Sequence, residues 1–266
     1  LFMPGSAERL LRHYETLLRA LVIAPDQPLS ALSVADDAEQ NWLLQQARGW
    51  QQDYDAAACV HRMVEAHVER TPDAPAVRWG EASLSYAELN AHANDLAQTL
   101  AHHGAGPGER VAIACARSTQ LAVALLAIVK TGACYVPIDP DYPSQRCQLM
   151  LDDSGARLLL TDAATDLQGV RVERLVLEEL RTTPAATSLA TTVTMDDPLY
   201  CMYTSGSTGK PKAVLQSHAA LANLLAWQQQ HPRLGRDQLT LQFAALSFDV
   251  SAQEFFGAWT TGGCIY

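Results

Sequence analysis

The chain has 266 residues, 48% apolar and 18% charged, enough material for a globular protein with a sizeable core. Its net charge is −10 with no run of Lys or Arg, which argues against duplex nucleic acid or an anionic membrane as a partner. The longest apolar stretch, Leu121 to Val129, ends at Lys130 and is too short to span a bilayer. The opening Leu1-Phe2-Met3-Pro4-Gly5 does not read as a signal peptide, and the chain is expected to be the interior of a longer protein. Cys59, Cys115, Cys134, Cys147, Cys201 and Cys264 form no C-x-x-C pair and have no His at ligand spacing. They read as small buried side chains in a reducing cytoplasm, and no metal site is expected from them.

Leu10, Leu11, Tyr14, Leu17, Leu18, Leu21 and Val22 predict an amphipathic helix over 8–23, stopped by Pro25. Residues 36–48 predict a second, polar helix, and 49–58 a linker. This front segment is too small to make a core of its own. From Cys59 the texture changes. Val60, Val64 and Val68 line one helix face, and Ala76 to Trp79 is a short strand with a turn at Gly80-Glu81. Ser85-x-x-Glu88 has the spacing of a capping box, and Leu89, Ala93, Leu96, Ala97 and Leu100 continue as the buried stripe of a helix ending near Gly104.

Strands 111–115, 133–138 and 157–161 then alternate with helices 119–130 and 144–153. Residues 181–195, rich in Thr and Ala, read as a surface loop. Strands 199–203 and 212–215, helix 217–230, strand 239–243 and helix 251–259 complete the pattern, and no internal repeat is visible. Alternating strands and helices, with strands nearly all apolar, predict an α/β fold whose largely parallel sheet is covered by helices on both faces.

Between strands 199–203 and 212–215 lies Tyr203-Thr204-Ser205-Gly206-Ser207-Thr208-Gly209-Lys210-Pro211-Lys212-Ala213-Val214. Glycines let backbone N–H groups approach an anion closely, hydroxyls add donors, and Lys adds charge, so the composition suits a polyphosphate clamp. It is not a Walker loop, because that pattern needs Gly where Thr204 stands and Ser or Thr where Pro211 stands.

The segment resembles the ATP-phosphate signature of the adenylate-forming superfamily, which includes acyl-CoA synthetases, luciferases and the adenylation domains of nonribosomal peptide synthetases. Two further stretches are similar to the peptide-synthetase versions of other family motifs: Val129-Lys130-Thr131-Gly132-Ala133-Cys134-Tyr135-Val136-Pro137-Ile138-Asp139-Pro140-Asp141-Tyr142-Pro143, and Leu84-Ser85-Tyr86-Ala87-Glu88-Leu89-Asn90. The resemblance runs from about residue 59 to the end, in the family's motif order. It implies the N-terminal part of the adenylate-forming fold over 59–266, a linker at 51–58, and the tail of a condensation domain with its linker over 1–50. His102-His103 does not belong to the condensation motif H-H-x-x-x-D-G, because Pro107 takes the Asp place. These histidines are expected to end the capped helix, where positive charge is mildly favoured.

In that family a carboxylic acid and ATP, with Mg2+, give an acyl-adenylate and pyrophosphate, and the acyl group then passes to a phosphopantetheine thiol on a downstream carrier domain. The resemblance puts Thr204, Ser205, Gly206, Ser207, Thr208 and Gly209 around the β- and γ-phosphates, with Lys210 as charge partner. Lys212 is either a second partner or a solvated residue. Ala213 departs from the family's usual glycine, a change tolerated where φ is negative. Phe248-Asp249-Val250-Ser251 resembles the motif that opens the substrate pocket, so Asp249 is expected to hold the substrate α-ammonium, with Phe248, Val250 and Gln253 beside it. Asp249 also suits a position at a helix start, and Ser251-x-x-Glu254 reads as a second capping box. Asp249, Val250 and Gln253 together resemble the pocket of proline-activating domains.

The family's catalytic lysine and small C-terminal subdomain are expected downstream of Tyr266, so the 266 residues alone are expected to be poorly soluble and inactive. Two alternatives stand beside amino-acid activation. One is an adenylate-forming ligase for an aryl or fatty acid, which has no use for Asp249. The other is a non-catalytic remnant.

Overall fold

A computed structural model of the protein describes residues 3–49, 58–180, 187–204, 211–230 and 239–266, in two compact units, Leu1–Asp53 and Tyr54–Tyr266. The first unit holds α1 (Pro4–Ile23), a 3-10 turn at Leu29–Ala31 and α2 (Asp37–Ala47). The Pro at the start of α1 occupies a position where no amide donor is needed. Asp36 caps α2, its side chain accepting the Glu39 N–H at 2.8 Å. His13 joins the two helices through Glu39 at 2.7 Å. Neither helix buries a residue, and Leu10, Leu11 and Tyr14 stay exposed, as expected of a segment without a core.

The second unit opens with α3 (Val60–Arg70) and carries two sheets rather than one. The larger has the order β6–β5–β3–β4–β7–β8, formed by Glu173–Val176, Leu158–Thr161, Arg110–Ala114, Cys134–Pro137, Pro198–Thr204 and Lys212–Ser217. All its pairs are parallel except β7 with β8. The smaller has the order β2–β1–β10–β9, formed by Ala82–Ser85, Pro75–Trp79, Cys264–Ile265 and Leu239–Thr240. The helices are α4 (Tyr86–His102), α5 (Thr119–Thr131), α6 (Ser144–Ser154), α7 (His218–Gln230) and α8 (Asp249–Trp259).

α5 contacts strands of both sheets and is buried nearly all round, which explains its apolar run. A helix that is apolar on every face belongs in a core or a bilayer. No helix among the described residues is long and apolar enough to cross a membrane. Gly132 ends α5 at φ 83°, and a Cβ there would meet Val193 at 2.7 Å. The glycine therefore serves both the left-handed backbone and a close approach. Lys130, on the same helix, is buried against Glu65 of α3, and Ser188 donates to Glu65 at 2.6 Å. Burial alone raises the Glu65 pKa, but the Lys130 ammonium and the hydrogen bonds from Lys130, Ser188 and Arg62 outweigh it and hold it at about 2. Burial also draws Lys130 below its usual range. The carboxylate's shift is the one that reports the ion pair, because its contacts act on the ionised form.

The Ser85 capping box forms with both of its hydrogen bonds, the Glu88 N–H to Ser85 Oγ at 3.2 Å and the Ser85 N–H to Glu88 Oε2 at 2.8 Å. At the other end of α4, His102 bonds the Gln98 carbonyl and His103 reaches Glu173 of β6, both at 2.7 Å. All six cysteines are free and buried, and burial pushes the Cys115 and Cys134 thiols up to about 12.

Two expectations are corrected, the extent of the strand over 239–243 and the capping box at Ser251. The strand over 239–243 ends at Thr240: the Gln242 N–H still donates to the Tyr266 carbonyl at 2.8 Å, but the Phe243 and Ala244 carbonyls that follow accept from the Arg117 side chain. β2, β6 and β10 are short strands of two to four residues with too little pattern to read. Ser251 and Glu254 do not form a capping box: Phe248 is the N-cap of α8 and makes no side-chain cap bond. The Gly49–Ala58 linker falls largely outside the described residues, as do residues 181–186 of the Thr/Ala-rich loop.

Candidate functional site

β7 and β8 form a hairpin in register from Pro198 opposite Ser217 to Thr204 opposite Lys212. Its mouth is therefore Thr204 and Lys212, both exposed, with Thr204 Oγ1 3.5 Å from the Lys212 carbonyl. Ser205, Gly206, Ser207, Thr208, Gly209 and Lys210 connect the two strands and lie outside the described residues. Ala213 sits within β8 opposite Tyr203, in extended backbone that any residue adopts, so the departure from glycine carries no backbone strain.

The hairpin is anchored. Tyr203 donates its hydroxyl to Asp153 of α6 at 2.7 Å, with the Met150 carbonyl at 3.1 Å. Burial, and then the Asp153 hydrogen bond, raise the Tyr203 pKa well above the usual phenol range. On the other side β7 pairs with β4 at Tyr200 and Tyr135, whose rings lie 5.7 Å apart.

α8 carries the second cluster. Asp249 is its first residue and is exposed, as are Phe248 and Val250. A negative side chain in the first turn is favoured by the helix dipole. Burial raises the Tyr200 hydroxyl pKa, and the Asp249 charge adds to it, so the carboxylate's field reaches the strand that leads into the hairpin. Val250 and Gln253 line a cavity of about 190 Å3 with Leu225 and Gln228 of α7. Their spacing on α8 continues to Glu254 and Gly257 on the same wall. Phe248 and Asp249 are not part of that wall, so the four expected pocket residues divide into an exposed pair at the helix start and a pair lining the cavity.

Sequence reasoning missed what holds α8 and the segment before it. Glu254 accepts the Ala244 N–H on both oxygens at 3.2 Å and the Gln242 amide at 3.1 Å. Ser251 donates toward the Phe248 carbonyl at 2.6 Å and the Leu246 carbonyl at 3.1 Å. Arg117, from the loop after β3, donates to Gln242 Oε1 at 2.6 Å and to the Phe243 carbonyl at 2.8 Å. The three-residue spacing of Ser251 and Glu254 did put both on one face, but that face holds the preceding segment rather than the helix terminus. At its far end α8 is fixed by Trp259, whose indole donates to the Ala76 carbonyl at 3.1 Å, and by Tyr86, whose hydroxyl donates to the Gly263 carbonyl at 2.7 Å.

The model of the AMP-binding enzyme family matches residues 64–266. Tyrocidine synthase 3 of Brevibacillus parabrevis is 40% identical over 265 residues, 99% of this chain and 4% of that protein. The chain thus spans a small fraction of the length of the curated relatives it matches. The AMPPNP-bound form of the nonribosomal peptide synthetase FmoA3 superposes with a TM-score of 0.83 at 26% identity, covering 99% of this chain and 29% of that one. The N-terminal subdomain of Klebsiella oxytoca NpsA, in complex with 3-hydroxybenzoyl-AMSN, gives 0.72 at 32% identity, covering 81% and 55%.

Proposed function

The chain belongs to the AMP-binding enzyme family, and we propose that it is the ATP- and substrate-binding part of an amino-acid adenylation domain in a nonribosomal peptide synthetase. The observation that carries the reading is the β7–β8 hairpin, whose registered Thr204 and Lys212 bring together the strand ends that flank the hydroxyl-, glycine- and lysine-rich sequence 205–210. Backbone N–H groups of glycines and the hydroxyls of Ser205, Ser207 and Thr208 then surround the β- and γ-phosphates, Lys210 neutralises charge, and Lys212 adds to the field at the mouth. ATP is a substrate here, which the AMPPNP-bound FmoA3 relative supports, and Mg2+ would help neutralise its phosphates.

A substrate carboxylate oxygen bonds to the α-phosphorus, the bond to the β-phosphate oxygen breaks, and pyrophosphate leaves. Positioning and charge neutralisation supply the rate, as in other phosphoryl chemistry. Asp249 holds the α-ammonium by a charge-assisted hydrogen bond, with Phe248 beside it, and Val250 and Gln253 shape the space for the side chain. Asp249, Val250 and Gln253 together resemble the pocket of proline-activating domains, and proline is the substrate we assign. The acyl group then passes to phosphopantetheine on a carrier domain. Residues 1–50 are read as the tail of a condensation domain with its linker, and 51–58 as linker. The setting is cytoplasmic.

Activation of an aryl acid is the second reading, supported by the NpsA relative in complex with 3-hydroxybenzoyl-AMSN. ATP–pyrophosphate exchange by the protein that carries this chain separates the two. Exchange with proline that is lost in Asp249→Ala supports amino-acid activation. Exchange with 3-hydroxybenzoate, indifferent to Asp249→Ala, overturns it.

A further inference from the structure

The seven residues 242–248 lead from β9 to Asp249 outside any helix or strand, with backbone bonds from Gln242 N–H to the Tyr266 carbonyl at 2.8 Å and from Phe248 N–H to the Ala245 carbonyl at 2.9 Å. They are gripped from two sides. Glu254, one turn and a half into α8, takes the Ala244 N–H on both oxygens and the Gln242 amide. Arg117, from the loop between β3 and α5, takes the other end of the same Gln242 amide at 2.6 Å and the carbonyls of Phe243 and Ala244 at 2.8 and 3.2 Å. Gln242 is only 6% exposed, so its bonds are made away from solvent and losing one is costly. Ser251 holds the Phe248 carbonyl at 2.6 Å, which carries the fixed segment directly to Asp249.

We propose that Glu254 and Arg117 are positioning residues for the amino-acid subsite: they hold residues 242–244 between them by hydrogen bonds and thereby set where Asp249 meets the substrate ammonium. This rests on the reading of Asp249 given above. Glu254 also stands on the wall of the cavity that Val250 and Gln253 line, so Arg117 is the variant that separates positioning from contact with substrate. Arg117 is not on the wall of the cavity that Val250 and Gln253 line, so any effect it has on amino-acid recognition travels through the strap. An ammonium held by one carboxylate at hydrogen-bond distance is sensitive to sub-ångström displacement, whereas strand β7 is anchored separately through Tyr203 and Asp153. The strap therefore acts on the amino acid and leaves ATP alone.

The test is ATP–pyrophosphate exchange by the protein carrying this chain, with Glu254→Gln and Arg117→Lys compared with the unaltered protein. In Glu254→Gln one donor of the strap faces an amide NH2 instead of an oxygen. In Arg117→Lys the charge stays but the fork to the two carbonyls is lost. The expected result is an amino-acid KM raised about tenfold in each variant, with the KM for ATP within about twofold. The preference for proline over cyclopentanecarboxylate, which lacks the amine, falls by a similar factor. The double variant falls no further than about the worse single one, because both act through one segment. Equal changes in both KM values, an unchanged preference, or an effect of Glu254→Gln with none of Arg117→Lys overturns the proposal. If Glu254→Gln does not fold, Arg117→Lys alone decides on the same two readouts. Absence of Asp249-dependent exchange in the unaltered protein defeats the reading of Asp249 and the proposal together. Its presence with unaffected variants defeats only the strap.

Discussion

At the scale of single residues, charge and burial separate the reactive groups from the inert ones. Burial keeps the thiols protonated, with Cys115 and Cys134 pushed up to about 12, so the native protein is expected to leave its six cysteines unlabelled by a maleimide at pH 7. Labelling in denaturant and its absence in buffer, read by mass spectrometry, checks this. His61 and His218 pack edge to face 5.7 Å apart. Burial, followed for His61 by the His218 charge, holds them down to about 3 and 4 against an ordinary 6.5. The unfolded chain therefore takes up protons as pH falls through 6.5 that the folded chain refuses until pH 4 or below. Stability is full above that window and is lost within it, by at most about 2 kcal/mol per histidine at pH 5. Urea melts at pH 7 and 5 measure the loss. His61→Phe, which removes an imidazole whose Nδ1 has no hydrogen-bond partner, is expected to reduce the dependence by about half.

At the scale of elements, the helix ends were legible and the short strands were not. Ser85 and Glu88 are spaced for a capping box and form one, because both partners lie within a single turn and nothing distant competes. Ser85→Ala is expected to cost about 1 kcal/mol by chemical denaturation. Ser251 and Glu254 have the same spacing, yet their partners are Leu246, Phe248, Gln242 and Ala244, brought there by tertiary packing that local spacing does not encode. The same cause shortens β9, since Arg117 is 125 positions from Gln242 in sequence. Of the candidate site, the hairpin and the start of α8 were readable from motifs, whereas the Arg117–Gln242–Glu254 grip had no local signal. Lys130 shows the limit from the other side. It ends an apolar run in the sequence, but the structure buries it against Glu65 and Ser188, tying α5 to α3. Lys130→Met leaves the Glu65 charge without its buried partner and is expected to destabilise by about 3–5 kcal/mol, lowering the melting temperature in a thermal shift assay.

At the scale of the whole molecule, two sheets share α5 as their common filling, and the candidate chemistry sits where the larger sheet's last hairpin and the start of α8 are each fixed by their own anchors. That division predicts separable defects, one class in nucleotide use and another in acid selection. The measurement that bears most directly on the proposed reaction is isotope transfer. Proline labelled with 18O in its carboxylate is incubated with ATP, Mg2+, hydroxylamine and the protein that carries this chain, and the nucleotide product is analysed by mass spectrometry. Attack of the carboxylate on the α-phosphorus is expected to leave one 18O in AMP, with prolyl hydroxamate formed in equal amount. ADP, with 18O in inorganic phosphate, or AMP without label, would contradict adenylation.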